Sequence, residues 1–242
     1  MKQFGTIVIL GAALVASAPF AFATPIQLGS YATHTSNLGD ANTSMRVTGV
    51  DLTSGTPTGL GTLHATGPGT TYTLDPNGVW ASALSNSTWV GEASTAGPGS
   101  GSGYVNPAYG YYEFQTTFDA TAGTYSGTFI VLADDTVEVL LNGNVLVPFG
   151  VIGNDSTCAQ YATGCLATTE TSLMLGDLSL DSHNTLDFIV EQAGTVSGSP
   201  GSDPSGVDFN ASLTPTPEPG SLFLLGSGLV GAAGVARRRF AI

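Results

Sequence analysis

From residue 112 to residue 213, apolar and polar side chains repeat with a period of two in most runs, which is the signature of half-buried strands. Tyr112-Glu113-Phe114-Gln115-Thr116-Thr117-Phe118 shows it first, with residues 125–132 as a second run. Asp134-Asp135 then marks a turn into Thr136-Val137-Glu138-Val139-Leu140-Leu141, and Asn142-Gly143 joins that strand to Val145-Leu146-Val147. Asn-Gly between apolar runs is a strong hairpin signal, because both residues accept a positive φ. Residues 186–191 and 207–213 alternate again, and earlier strands are expected over 45–52, 79–83 and 88–91. No stretch of the body sustains a 3.6-residue apolar period. The expected class is therefore all-β, an antiparallel sandwich or barrel. Residues 92–110 and 149–169 read as long loops, which in compact domains are usually functional or mobile.

Both ends depart from this pattern. Lys2 precedes an uncharged apolar run over residues 4–18, and Ala21-Phe22-Ala23 supplies the small-x-small cleavage pattern of a secretory signal, so Thr24 is the expected first residue after export. At the other end, Pro217-Glu218-Pro219-Gly220 precedes sixteen uncharged residues, 221–236, and then Arg237-Arg238-Arg239. Sixteen helical residues span about 24 Å, short of the ~30 Å hydrocarbon core. A short greasy span with a basic stop suits a tail that is read by a processing enzyme and removed. Basic flanks stay cytoplasmic. The expected division is a signal helix at 1–23, a domain at 24–213, and a tail at 214–242 with a Pro-rich linker and a short transmembrane helix.

Removing the ends changes the charge picture. Between residues 24 and 216 only Arg46 is basic against seventeen carboxylates, a net charge of −16. Such a surface repels nucleic-acid phosphates and anionic head groups, and it tolerates divalent cations and neutral polymers. The only cysteines, Cys158 and Cys165, are expected to pair as a structural staple in an oxidising compartment.

Pro217-Glu218-Pro219, the apolar stretch and Arg237-Arg238-Arg239 together resemble the PEP-CTERM sorting signal of Gram-negative bacteria. The resemblance implies an exosortase-type processing enzyme as partner, a precursor tethered at the inner membrane, and a final place at the cell surface or outside it. It also implies association with extracellular polysaccharide. Residues 112–118, the run from Ala133-Asp134-Asp135 to Asn142-Gly143, residues 184–190 and the closing Pro204-Ser205-Gly206-Val207-Asp208-Phe209 resemble a galactose-binding-domain-like jelly roll. That resemblance implies the fold more than a ligand.

Candidate chemistry is sparse. Gly226-Ser227-Gly228-Leu229-Val230-Gly231 spells a dinucleotide fingerprint, but no strand precedes it and no acid follows at the required distance. No nucleophile elbow, P-loop or His-Glu-x-x-His motif occurs. His34, His64 and His183 have no partner at a telling spacing. Asp134 and Asp135 are candidate Ca²⁺ ligands, Ca²⁺ being bound by six to eight oxygens; the competing reading is an Asp pair that bonds local turn amides. Tyr104, Tyr109 and Tyr161 fall in the long loops and are candidates for stacking on sugar rings, whereas Trp80, Trp89 and Tyr111 read as core. Three functions follow: a non-catalytic envelope or matrix protein associated with polysaccharide, a structural or adhesive surface protein without a discrete ligand, or a secreted glycan hydrolase. The convergence of the long loops on one edge of the sandwich separates the first from the rest.

Overall fold

The computed structural model describes residues 24–30, 41–52, 64–98, 107–150, 163–192, 203–216 and 219–240. Its strands are β1 (Ile26–Gly29), β2 (Ala41–Leu52), β3 (His64–Thr73), β4 (Val90–Gly91), β5 (Gly110–Asp119), β6 (Gly123–Asp134), β7 (Thr136–Leu141), β8 (Asn144–Val147), β9 (Thr171–Leu180), β10 (His183–Gln192) and β11 (Gly206–Pro215). One helix follows, α1 (Pro219–Phe240). Every strand pairing is antiparallel, in the order β8-β7-β10-β5-β2-β3-β4-β11-β6-β9, with β1 added on β11.

This sheet curls until its two halves face each other, because each carries one apolar row that water must not reach. Phe129 on β6 and Phe209 on β11 have ring centroids 6.0 Å apart. Across the sandwich, Phe188 on β10 approaches Phe209 to 4.5 Å and Phe129 to 6.3 Å. Val131, Val139, Val190 and Phe114 are fully buried around them. The result is a jelly-roll-like β-sandwich: the alternation predicted an antiparallel sandwich or barrel, and the resemblance implied the jelly roll. A smaller cluster, with Leu74, Trp80, Trp89, Ala96, Leu132 and Cys165, closes one end.

The register defines two poles. At one, Gly110 pairs with both Leu52 and Gln192, Glu191 pairs with Thr136, and Gly206 pairs with Asp134. At the other lie the Asn142-Gly143 turn, with φ of 51° and 77°, and the connections 119–123 and 181–183. The first pole carries the chemistry considered below.

Several expectations need correction. Residues 79–83 do not form a strand: Val79 and Trp80 donate their amides to the Pro76 carbonyl at 2.9 and 3.1 Å, closing a turn at Asn77-Gly78. The strand expected at 88–91 shrinks to β4. Strands β1, β3 and β9 were not expected. The tail does form a helix, but among the described residues no helix is long and apolar enough to cross a membrane. The expected short transmembrane helix is thus corrected to a 22-residue helix whose last turn holds Arg237, Arg238 and Arg239 and whose uncharged part is short and glycine-rich. Leu225, Leu229, Val230 and Val235 of α1 are exposed.

Candidate functional site

Strand β6 pairs with β11 in one half of the sandwich and β7 with β10 in the other, so Asp134-Asp135 is where the chain crosses between them. The peptide between the two aspartates is cis. Both side chains are buried, each only 1% exposed. Trp80 donates from Nε1 to Asp134 Oδ2 at 2.6 Å, and the Ser205 hydroxyl donates to the Asp134 carbonyl at 3.2 Å. The Asp135 amide donates to the Glu191 carbonyl at 3.0 Å. Burial drives the Asp134 carboxyl well above the ordinary range, and the neighbouring Asp135 and Asp203 carboxylates add to that rise.

Asp203, on the segment entering β11, completes an acidic nexus. Gln192 Nε2 donates to the Asp203 carbonyl at 3.1 Å, tying the end of β10 to this segment. Burial lifts the Asp203 carboxyl to about 6. Burial also lifts Glu191 to about 6, against the opposing pull of the Tyr111 hydroxyl across from it in the register. Asp203 Oδ2, Gln192 Oε1 and Thr136 Oγ1 are buried without a hydrogen-bond partner among the described residues. A buried acceptor left unmatched costs ~1–3 kcal/mol, so several on one small pole call for an explanation.

All the oxygens concerned are hard donors of the kind Ca²⁺ takes: carboxylates, an amide oxygen, a hydroxyl and carbonyls. Among the described residues no three His, Cys, Asp or Glu side chains stand together as a ready metal cage. A bound ion would therefore draw on Asp135 and Asp203 together with neutral oxygens.

The strand ends at this pole bound the long connections. Residues 53–63 leave from Leu52, residues 92–109 enter Gly110, and residues 193–205 run from Gln192 to Gly206. The connection from β8 to β9 arrives here too: the Gly164 carbonyl accepts from Ala133 at 3.2 Å, and that of Cys165 from Ala81 at 2.7 Å.

Of the tyrosines singled out, Tyr109 sits at this pole but is only 7% exposed. Its hydroxyl is buried without a hydrogen-bond partner among the described residues. Burial pushes that hydroxyl upward, and Asp203 and Asp135 reinforce the shift. It offers no free face for stacking in this structure. Tyr104 and Tyr161 lie outside the described residues, as do His34, Cys158, Pro217, Glu218 and the signal residues Ala21 and Ala23. Trp80, Trp89 and Tyr111 are core, as expected. Among the described residues no cysteine is free, and Cys165 is fully buried. His183 is exposed at the far pole, its Nδ1 2.7 Å from Asp119. Sequence reasoning missed Asp203, Gln192 and the Trp80 hydrogen bond. The available signal was the acid just before the last strand, inside a Ser-Asp-Pro-Ser-Gly run with the composition of a turn.

Residues 215–239 match the model described as the PEP-CTERM protein-sorting motif. The chain ends in a PEP-CTERM tail. Such a tail implies an exported protein that is targeted to an exosortase and processed at the membrane. No curated protein matches the chain. Among solved structures, the fold is similar to a β-glucosidase from Kluyveromyces marxianus, at 13% identity and a TM-score of 0.26, covering 50% of this chain and 13% of that one. It is also similar to the GH26-CBM35 β-(1,4)-mannanase of Podospora anserina, at 14% identity and a TM-score of 0.30, over 81% of this chain and 28% of that one. A family 35 carbohydrate-binding module from Clostridium thermocellum shares 15% identity at a TM-score of 0.23, over 46% of this chain and 85% of that one. The chain spans less than a third of the first two structures.

Proposed function

We propose that this is an exported envelope protein whose loop-bearing pole associates with extracellular polysaccharide, with Ca²⁺ held at the Asp134-Asp135 crossing. One observation carries the reading: the long connections bounded by β2, β5, β10 and β11 start or end beside a buried acidic nexus with unmatched oxygens. A divalent cation there neutralises carboxylates that burial otherwise forces to hold protons, and it fixes the loop bases. Neutral sugar hydroxyls suit the loops whose bases the cation would fix, because they bring no charge of their own to an acidic body. The body's −16 charge disfavours anionic partners other than through bridging cations. Export by a signal ending at Ala23 and cutting of the tail near Pro217 complete the reading.

A hydrolase would need two carboxyls pushed in opposite directions, one an acid and one a base or nucleophile. Asp134, Glu191 and Asp203 all move upward, so these three do not form such a pair among themselves.

Calorimetric titration with Ca²⁺ and a glycan array run with and without EDTA test the proposal. Saturable Ca²⁺ heat that is lost in Asp135→Asn and Asp203→Asn, with glycan binding abolished by EDTA, is the expected result. No heat, together with a melting temperature unmoved by EDTA, removes the ion. Glycan binding indifferent to both variants moves the ligand elsewhere.

A further inference from the structure

The tail and the expected mature start leave the fold together. Ile26 pairs with Leu213, so Thr24, two residues earlier, lies at the level where β11 ends. The Thr216 amide and hydroxyl both donate to the Thr124 carbonyl, at 2.8 and 3.0 Å, which pins the last described body residue to the start of β6. Only two residues separate Thr216 from Pro219, where α1 begins. Thr24, Ile26, Asp119, Ala120, Thr121 and Tyr125 line one open cavity of about 310 Å³ at this pole.

The acidic nexus is at the other end of the same strand. Strand β11 runs from Gly206, opposite Asp134, to Pro215, opposite Tyr125. Its ten residues, at ~3.3 Å each, separate the two poles by about 30 Å.

We infer that the membrane-bound precursor faces the lipid surface with the pole formed by Thr24, the 119–123 turn, the 181–183 turn and Thr216, and turns the Asp134-Asp135 pole outward. Two residues reach at most about 7 Å, so the Thr216 pole stays close to the membrane once α1 is held there. The facing pole carries Asp119, Asp181 and a His183 paired to Asp119, so a zwitterionic head-group layer suits it better than an anionic one. This inference rests on the tail being processed at the membrane and is independent of whether the outward pole binds sugar.

Carboxyl footprinting of the full chain tests it without any substitution. The protein is labelled with a carbodiimide and an amine, free and then bound to phosphatidylcholine vesicles, and the modified carboxyls are read by peptide mass spectrometry. Asp119 and Asp181 are exposed on the facing pole; Glu170 is exposed next to Thr171, which pairs with Val131 toward the outward pole. The expected result is a several-fold fall at Asp119 and Asp181 with Glu170 unchanged. Equal protection at all three, or protection at Glu170 alone, overturns the orientation while leaving the tail reading intact. A chain that fails to float with the vesicles overturns both.

Discussion

Asp134 is a carboxyl with almost no contact with water, and outside the nexus Trp80 donates to it from Nε1. Replacing Trp80 by Phe keeps most of the ring's packing against Trp89, whose centroid is 4.3 Å away, and removes only the N–H. The expected cost is about 1–3 kcal/mol, that of an orphaned buried acceptor. Equilibrium urea unfolding reads it; an unchanged midpoint would mean that this hydrogen bond is replaceable. Asp208 makes a useful contrast. It is just as buried and is lifted to about 6 by burial, yet its oxygens accept from the Ser30 and Ser87 hydroxyls and from the Leu84 amide. Asp208 is satisfied within the protein and ties three segments together, whereas Asp203 retains an unmatched oxygen, which is why the ion is placed with Asp203. A Cys158–Cys165 staple, which the sequence predicts, is also tested at this scale. Intact exported protein should weigh two hydrogens less than its reduced form, and reduction should lower stability by about 2–3 kcal/mol.

The strands themselves differ in how openly the chain announces them. Residues 136–141 and the Asn142-Gly143 turn were legible to the residue, because period-two burial and positive-φ turn chemistry are both local. Strand β3 was not, since His-Ala-Thr-Gly-Pro-Gly-Thr-Thr-Tyr-Thr is polar and carries Gly-Pro-Gly, and its pairing with β2 and β4 is what makes it a strand. In β9 the alternation breaks at Gly176-Asp177, where the register with β6 shifts and Asp177 takes φ of 51°. The apolar residues 79–83 misled because Trp80 is buried from a turn rather than from a sheet. The site was half legible: Asp134-Asp135 stood out as a turn, but Asp203 and Gln192 join it only through the long-range register of β10 and β11. One glycine shows how tight that register is. A Cβ on Gly127 would lie 1.9 Å from the Ser212 carbonyl oxygen of β11, so Gly127→Ala must push two paired backbones apart. A Cβ on Gly143 would meet nothing within 4 Å, and Gly143→Ala should cost only ~1–2 kcal/mol for its φ of 77°. Thermal unfolding should therefore rank Gly127→Ala well below Gly143→Ala, and the reverse order would refute the β6–β11 register.

At the scale of the whole molecule the buried carboxyls act in concert. Glu191, Asp203 and Asp208 are each lifted to about 6 and Glu92 to about 7, all chiefly by burial, from ordinary values of 3.8 for Asp and 4.5 for Glu. A raised folded value means the native state holds these protons more tightly than the unfolded chain. Their stabilising contribution is thus complete below about pH 4 and is lost as pH climbs through about 6 to 7. Without divalent ions, the melting temperature should fall between pH 5 and pH 8. Self-repulsion of a −16 body would produce a fall in the same direction, but salt screens surface charges far more than buried ones. The part due to the nexus should therefore persist in high salt. Ca²⁺ separates the two further, because it competes with protons for the same oxygens: it should raise the melting temperature strongly at pH 8 and weakly at pH 5. Differential scanning fluorimetry across pH, with EDTA or Ca²⁺ in high salt, makes the measurement. A profile flat in pH would show that the buried acids are already satisfied as anions. A Ca²⁺ effect equal at both pH values would place the ion on surface carboxylates, away from the crossing where the two halves of the sandwich meet.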